Sequence, residues 1–513
     1  MNNFSNIFLN KEIYFHKYTY INGFALTMLL ATGGIARADT LEQALSAAYE
    51  NNPSLQGGRA LAGAADEGLV QARAAYGPSL NVDIRHEFTA ARIRGTAFPS
   101  ETDGFGTSAA LTLSQPIFTS GRLAANVDAA SAAKMVEREK LRTAGQQLIL
   151  DVVNAYVSLQ RDIELYGVAV ENYDLLLQQR DVIAARFRLR DSTQPDLDQT
   201  NNRLELAAGR VIVARSTVEA SAARYRNLVG SYPEALAPPP ALPKLPNLEV
   251  LYGEVETHNP TLAAAKFTEA RSRAVVGAGR AQMRPQVSAF ASARRDPLTP
   301  YQNTRREEAV VAGVNFTMSL YTGGQQSSAV REAIARNQAD QQFTEQTRRD
   351  IRENLATDWS LLQASSEAMP SYDEAVRVAE RAVEGVKKQE TSGIRTLRDV
   401  LDVTNDLLNA RIDAAQTRAE IYLRQVAVLR DAGLLSIDMF AQVRPYDPDA
   451  SRAGISAMAG LPLRPILAPF DRSVLQEKVR QAPVQRENSV HYDWSLIGTA
   501  PLRPLAGASE TAP

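Results

Sequence analysis

The sequence predicts a mainly α-helical fold with a β-barrel part, built from a duplicated unit in which two strands lead into a long helix. The chain repeats itself at a near-constant offset. Each copy holds two runs in which polar and apolar residues alternate, and each then enters a stretch far longer than an ordinary helix.

The duplication is legible residue by residue. Leu41-Glu42 recurs as Leu248-Glu249, Asn52-Pro53-Ser54-Leu55 as Asn259-Pro260-Thr261-Leu262, and Pro78-Ser79-Leu80 as Pro285-Gln286-Val287, all offset by 207. Phe118-Thr119-Ser120-Gly121 corresponds to Tyr321-Thr322-Gly323-Gly324, Asp196 to Asp399 and Gly230 to Gly433, all offset by 203. The offset changes once, by four, between positions 80 and 118, where each copy carries a Gly- and Pro-bearing loop that tolerates a length change. The chain divides into a leader (1–38), a first repeat (39–232), a proline-rich linker (233–247), a second repeat (248–433) and a proline-rich tail (434–513).

In the leader, Lys11 and Lys17 precede the apolar run from Phe24 to Ala31, and Ala36-Arg37-Ala38 is an A-x-A cleavage pattern. The run is too short to anchor the chain as a helix. An exported chain of 513 − 38 = 475 residues is expected. Each repeat opens with a short helix (41–51 in the first), an Asn-Pro step and a second helix (54–76). Strand runs follow at about 79–88 and 107–117, and at about 286–294 and 309–320. Leu80, Val82 and Ile84 alternate with Asn81, Asp83 and Arg85, and Val310, Ala312, Val314 and Phe316 with Val311, Gly313, Asn315 and Thr317. Such alternation gives one wet and one apolar face, and runs of about 9–11 residues cross an outer membrane when tilted. Phe88, Phe105, Phe118, Phe290, Tyr301, Phe316 and Tyr321 fall near the run ends, where aromatics suit a membrane interface.

Residues 122–190 then contain no proline. Leu148, Val152, Ala155, Leu159, Ile163, Tyr166, Val170, Tyr173 and Leu177 form a near-heptad seam, on a helix about 100 Å long. A break at 191–195 and a return helix to about Gly230 follow. The second copy repeats this at 325–389, interrupted at Pro370 where a kink or offset is expected, and at 397–432. The tail, with nine prolines from Pro445 to Pro513, reads as mostly disordered and passive, with a short helix conceivable over 470–482.

Composition limits the chemistry. Lys+Arg is 56 against Asp+Glu 58, a net charge of -2, so no basic excess exists to hold nucleic acid. There is no cysteine, and the only histidines are His16, His86, His258 and His491, which disfavours zinc and thiol chemistry. His86 and His258 read as surface or interface residues. No phosphate-cradling Gly-x-x-x-x-Gly-Lys-Ser/Thr loop is present. Neither a catalytic residue nor a cofactor or metal is assigned.

Four strands per chain cannot close a membrane barrel, because open edges in lipid leave backbone groups unpaired at several kcal/mol each. Three copies would supply 3 × 4 = 12 strands in a closed ring. This arrangement resembles the TolC-like outer-membrane factor family over about 40–433, nearest to its type I secretion branch. The resemblance rests on Thr40-Leu-Glu-Gln-Ala-Leu45, Asn52-Pro53-Ser54-Leu55, Ala74-Ala-Tyr-Gly-Pro-Ser-Leu80, Gln115-Pro-Ile-Phe118, Val229-Gly230-Ser-Tyr-Pro233 and Gly393-Ile-Arg-Thr-Leu-Arg-Asp-Val-Leu-Asp402. It implies a homotrimeric channel-tunnel in outer-membrane lipid, extending into the periplasm. A periplasmic adaptor would link it to an inner-membrane ABC or RND transporter. A drug or metal efflux duct of the same family and a soluble periplasmic coiled-coil adaptor are the alternatives.

Thr193-x-x-Asp196 and Thr396-x-x-Asp399 read locally as helix-start caps. Asp399, Asp402 and Asp406 share one helix face, an arrangement that usually marks a solvated surface, while Val400, Val403 and Leu407 share another. The resemblance implies that Asp399 and Asp402 form an acidic ring at the periplasmic constriction. It also implies that Arg395 and Asp196 latch the tip shut. Glu390 stands where the family pattern has an aromatic latch residue, and a local pairing with Arg395 is the expectation there.

Overall fold

The computed structural model describes residues 40–95, 100–233, 235–443, 446 and 463–473. The leader, with its cleavage pattern, and most of the tail lie outside these residues. The first repeat runs α1 (Leu41–Asn51), α2 (Pro53–Ala74), β1 (Ser79–Ile93), β2 (Ser100–Phe118), α3 (Arg122–Arg188) and α4 (Gln194–Val229). The second runs α5 (Leu248–His258), α6 (Pro260–Gln282), β3 (Gln286–Thr299), β4 (Gln302–Thr317), α7 (Gln325–Thr391) and α8 (Leu397–Asp431). A tail helix, α9 (Arg464–Ser473), follows.

Two pairs of equivalent helices start by the same chemistry in both copies. Asn52 and Asn259 accept from the amides two or three residues on, and Pro53 and Pro260 occupy the first helical turn, where no amide partner is needed. Thr193 with Asp196, and Thr396 with Asp399, make reciprocal capping boxes at α4 and α8. The long helices α3 and α7 are both 67 residues and begin after glycines in left-handed conformation, Gly121 (φ 90°) and Gly324 (φ 86°). α7 is continuous through Pro370, so the expected interruption is absent. The lost amide bond is local, and the flanking turns hold the helix.

The four strands form one antiparallel sheet in the order β1-β2-β3-β4. The strands run five or more residues past most of the predicted upper ends. The β1–β2 connection is six residues (94–99) and the β3–β4 connection two (300–301), a difference of 6 − 2 = 4. That is the four-residue change of repeat offset, placed at a hairpin tip. Gly104 and Gly106 admit the second hairpin's turn. A Cβ on Gly104 would lie 1.9 Å from the Tyr301 carbonyl oxygen, and one on Gly106 2.7 Å from that of Pro300.

The main core surrounds the middle of α3, where Leu148 to Leu159 pack with α1, with Tyr225 and Val229 of α4, and with Val426 and Leu429 of α8. A second core joins Leu248, Leu251 and Val255 of α5 to Ile351 and Leu355 of α7 and Val428 of α8. The seam departs from the predicted one below Leu159. Ile163 is 46% exposed, and Asp162, 3% exposed, takes the inward position. A strict 3-4 alternation requires residue 162 rather than 163, and Leu176 and Ile183 continue it as buried positions. Asp162 is held there by the hydroxyl of Ser221 and the guanidinium of Arg161.

Candidate functional site

The strand registers sort every strand residue onto one of two faces. Leu80–Leu113–Ala291–Ala312 and Val82–Leu111–Ala293–Val310 are rows on one face. Asn81–Thr112–Ser292–Val311 and Asp83–Ala110–Arg294–Ala309 lie on the other. One face is therefore apolar over these rows and ends, toward the hairpin tips, at the Arg295–Glu308 pair and at His86 and Thr107, whereas the other carries Asn81, Asp83, Arg85, Ser292, Arg294 and Asn315. The apolar side chains are uncovered within one chain: Ile84 is 70% and Val310 82% exposed. β1 and β4 each have one unpaired edge.

The aromatics divide differently from the sequence expectation. Phe88 and Phe105 pair across β1 and β2 within the hairpin, with ring centroids 5.1 Å apart, because the strands continue beyond them. Phe290 lies on the polar face, against Gly313. Phe118, Phe316 and Tyr321 do stand at or beside the helix-proximal strand ends. His86, on the apolar face, stacks on Phe105 and meets the Thr107 hydroxyl at 2.8 Å, and His258 pairs with Glu254 on its own helix.

At the opposite end of the molecule, the α3–α4 and α7–α8 turns sit at the tip of two antiparallel coils. Gly393 (φ 73°) and Arg190 (φ 62°) take equivalent left-handed positions after α7 and α3. Asp196 and Asp399 each accept from the amide and hydroxyl of their capping threonines. The Thr193 hydroxyl bond holds the Asp196 carboxyl below its usual range, and the Thr396 amide bond does the same for Asp399, so both stay ionised. On α8, Val400, Leu401, Thr404 and Leu408 are buried, which leaves Asp402 and Asp406 on the exposed face.

Within one chain the structure does not bring Arg395 to Asp196. Arg395 Nε reaches Gln389 Oε1 at 3.4 Å. Glu390 meets Arg186 of α3 at 2.5 Å rather than Arg395. Asp402 accepts from Arg203 of α4 at 3.0 Å, and Arg398 stands 3.8 Å away. These pairs join the two repeats across the tip, where Leu401 also packs on Leu176, Leu204 and Ala207. Farther up, Arg411 of α8 bridges Glu171 of α3 and Glu380 of α7, both at 2.8 Å, and Arg418 bridges Glu164 (3.2 Å) and Asp373 (3.6 Å). The sequence reading missed Arg186, Arg203, Arg411 and Arg418. Arg411 and Arg418 are one heptad apart on α8, and that spacing was the available signal.

The architecture is a sheet with one apolar and one polar face, continued by paired long coils in two copies. A family model described as outer membrane efflux protein matches residues 44–231 and 251–433, one segment per repeat. The outer membrane efflux protein BepC of Brucella suis is 26% identical over 426 residues, covering 83% of this chain and 92% of its own length. The proteases secretion protein PrtF of Dickeya chrysanthemi is 24% identical over 460 residues, covering 85% of this chain and 98% of its own. The Campylobacter jejuni CmeC outer membrane channel superposes with a TM-score of 0.70 at 15% identity, over 81% of this chain and 89% of that one. With both repeats matched in order and joined to the same sheet and coils, the chain belongs to the outer membrane efflux protein family, the TolC-like outer-membrane channels of tripartite efflux and secretion systems, which extend into the periplasm.

Proposed function

We propose that three copies close a 12-stranded barrel and serve as the passive exit duct of a type I protein secretion system. The observation that carries the pore is the sheet: an apolar face for lipid, a polar face for a water-filled lumen, and two free edges that only further copies can satisfy in a membrane. Protein cargo is supported by the likeness to PrtF along almost its whole length and by the Gly393–Asp402 motif at the tip. The likeness to BepC favours an efflux duct as the second reading. In both readings a periplasmic adaptor and an inner-membrane transporter, ABC for secretion or RND for efflux, drive transport.

In this reading Asp399 and Asp402 of three copies set 3 × 2 = 6 carboxylates around the tip, and rings of carboxylates select and bind cations. The cross-repeat pairs Arg186–Glu390 and Arg203–Asp402 hold the coils closed, and Arg395 and Asp196 are left for contacts between copies. The test is single-channel recording of the purified protein in a planar bilayer. Arg203→Ala and Arg395→Ala are expected to raise conductance, and Asp399→Ala with Asp402→Ala to weaken block by trivalent cations from the periplasmic side. Conductance and block unchanged in all of them would refute the gate. Crosslinking followed by identification of the co-purifying transporter separates secretion from efflux.

A further inference from the structure

Gly121 stands at the N-cap of α3 and offers no side chain. The Thr119 hydroxyl accepts from the Leu123 amide at 3.1 Å and its carbonyl from the Arg122 amide at 3.0 Å. The amides of Gly121 and Ala124 are left to an outside acceptor. Asp471 of α9 accepts from the backbone amides of Thr119 (2.9 Å), Gly121 (2.8 Å) and Ala124 (3.2 Å). Its carboxylate also accepts from the Thr119 hydroxyl at 2.9 and 3.0 Å and from the Tyr76 hydroxyl at 3.4 Å. Asp471 is 2% exposed. The next residue, Arg472, pairs with Asp128 farther along α3. Closer to the main core, the tail's Tyr446 ring lies 5.3 Å from the Arg59 guanidinium of α2, whose other neighbour is the Tyr49 ring at 5.0 Å.

We propose that the β2–α3 junction is a carboxylate-binding site whose ligand is the chain's own segment Leu463–Ser473, a strap that caps α3 and fixes the sheet to the helix in the first repeat. The charge matches the helix start, where aligned peptide dipoles favour an anion. A buried carboxylate without these donors is costly, and so are buried amides without an acceptor. Each half therefore specifies the other. This segment of the tail is tied to α3, which its proline content alone does not indicate. Of the expected helix over 470–482, residues 470–473 close α9 and the rest lie outside the described residues. The second repeat provides an internal control. Thr322-Gly323-Gly324 begins α7 in the same way, without a side-chain cap at Gly324, and among the described residues no carboxylate bonds to the amides of Thr322, Gly324 or Ser327.

Amide hydrogen exchange on the full-length protein in detergent micelles tests this. In the wild type the Gly121 and Ala124 amides should exchange at least about tenfold more slowly than those of Gly324 and Ser327, a ratio typical of one retained hydrogen bond. Asp471→Ala should erase that difference. Asp471→Asn, which keeps one acceptor oxygen, should fall between. Equal rates in the wild type overturn the proposal without any variant having to fold. Unchanged exchange at Gly121 and Ala124 in Asp471→Ala overturns it as well. The readout is local to the junction, so it is independent of whether the pore conducts.

Discussion

Gly230 and Gly433 close the two return helices at equivalent positions, both left-handed (φ 102° and 77°). A Cβ on Gly230 meets nothing within 4 Å, whereas one on Gly433 would lie 2.4–2.5 Å from the backbone of His258 and Asn259. Gly230→Ala is therefore expected to cost about 1–2 kcal/mol of backbone strain alone. Gly433→Ala should cost clearly more, because the α5–α6 junction must move. Thermal unfolding of the two variants checks the ranking, and equal losses would contradict it. Near Gly433, Asp431 is buried beside Arg430, which donates at 2.6 and 2.8 Å, and beside Asp358, which is itself paired with Arg424 at 2.8 Å. Its backbone carbonyl accepts from Asn259 Nδ2 at 2.8 Å, and its carboxyl faces that of Asp358. Burial, offset in part by Arg430 and reinforced by Asp358, pushes its carboxyl up to about 6. A raised acid binds its proton more tightly when folded, so its stabilisation is present below the unfolded value of 3.8 and is lost as pH rises through about 6. Relative to Asp431→Asn, the wild type should lose on the order of 2–3 kcal/mol between pH 4 and pH 7. Unfolding temperatures of both proteins across that range measure it, and a pH-independent gap would rule the shift out.

At the scale of elements, the capping boxes, the Asn-Pro helix starts and both long helices were legible in the sequence. Each depends on residues within a few positions of one another. The seam was legible to Leu159 and then misread at Ile163, because an apolar residue invited a 4-4 step where packing kept the heptad and buried Asp162 instead. Pro370 does not break α7. Its helix-breaking tendency is local, about 3 kcal/mol against alanine, and a 67-residue helix packed on α6 and α8 absorbs it. Pro370→Ala should consequently stabilise the protein by about 1–3 kcal/mol, seen as a higher unfolding temperature. A loss of stability would mean that the proline shapes a needed bend.

At the scale of the molecule, the sheet is open along β1 and β4 and has two unlike faces. Val310 sits on its apolar face and Asn315 on its polar face. Val310→Arg should lower the stability of the membrane-inserted protein by about 2–4 kcal/mol, while Asn315→Arg should change it little. Urea unfolding from lipid vesicles provides the comparison, and similar losses would mean that the faces are assigned the wrong way round. The tip follows the same long-range logic. Asp399 and Asp196 were placed correctly at helix starts, yet the partners of Glu390 and Asp402 are Arg186 and Arg203, on the other repeat's coil.

The sequence by itself determined the duplication, the two-faced strands, the long coils and the hairpin whose length differs by four residues. All of these are written in local periodicity or in a fixed offset along the chain. Only the tertiary structure decided which charges cross between the repeats, which seam residue turns inward, and that Asp471 returns to cap a helix that began some 350 residues earlier. Such pairings depend on where packing brings distant segments together, and no periodicity along the chain records that proximity.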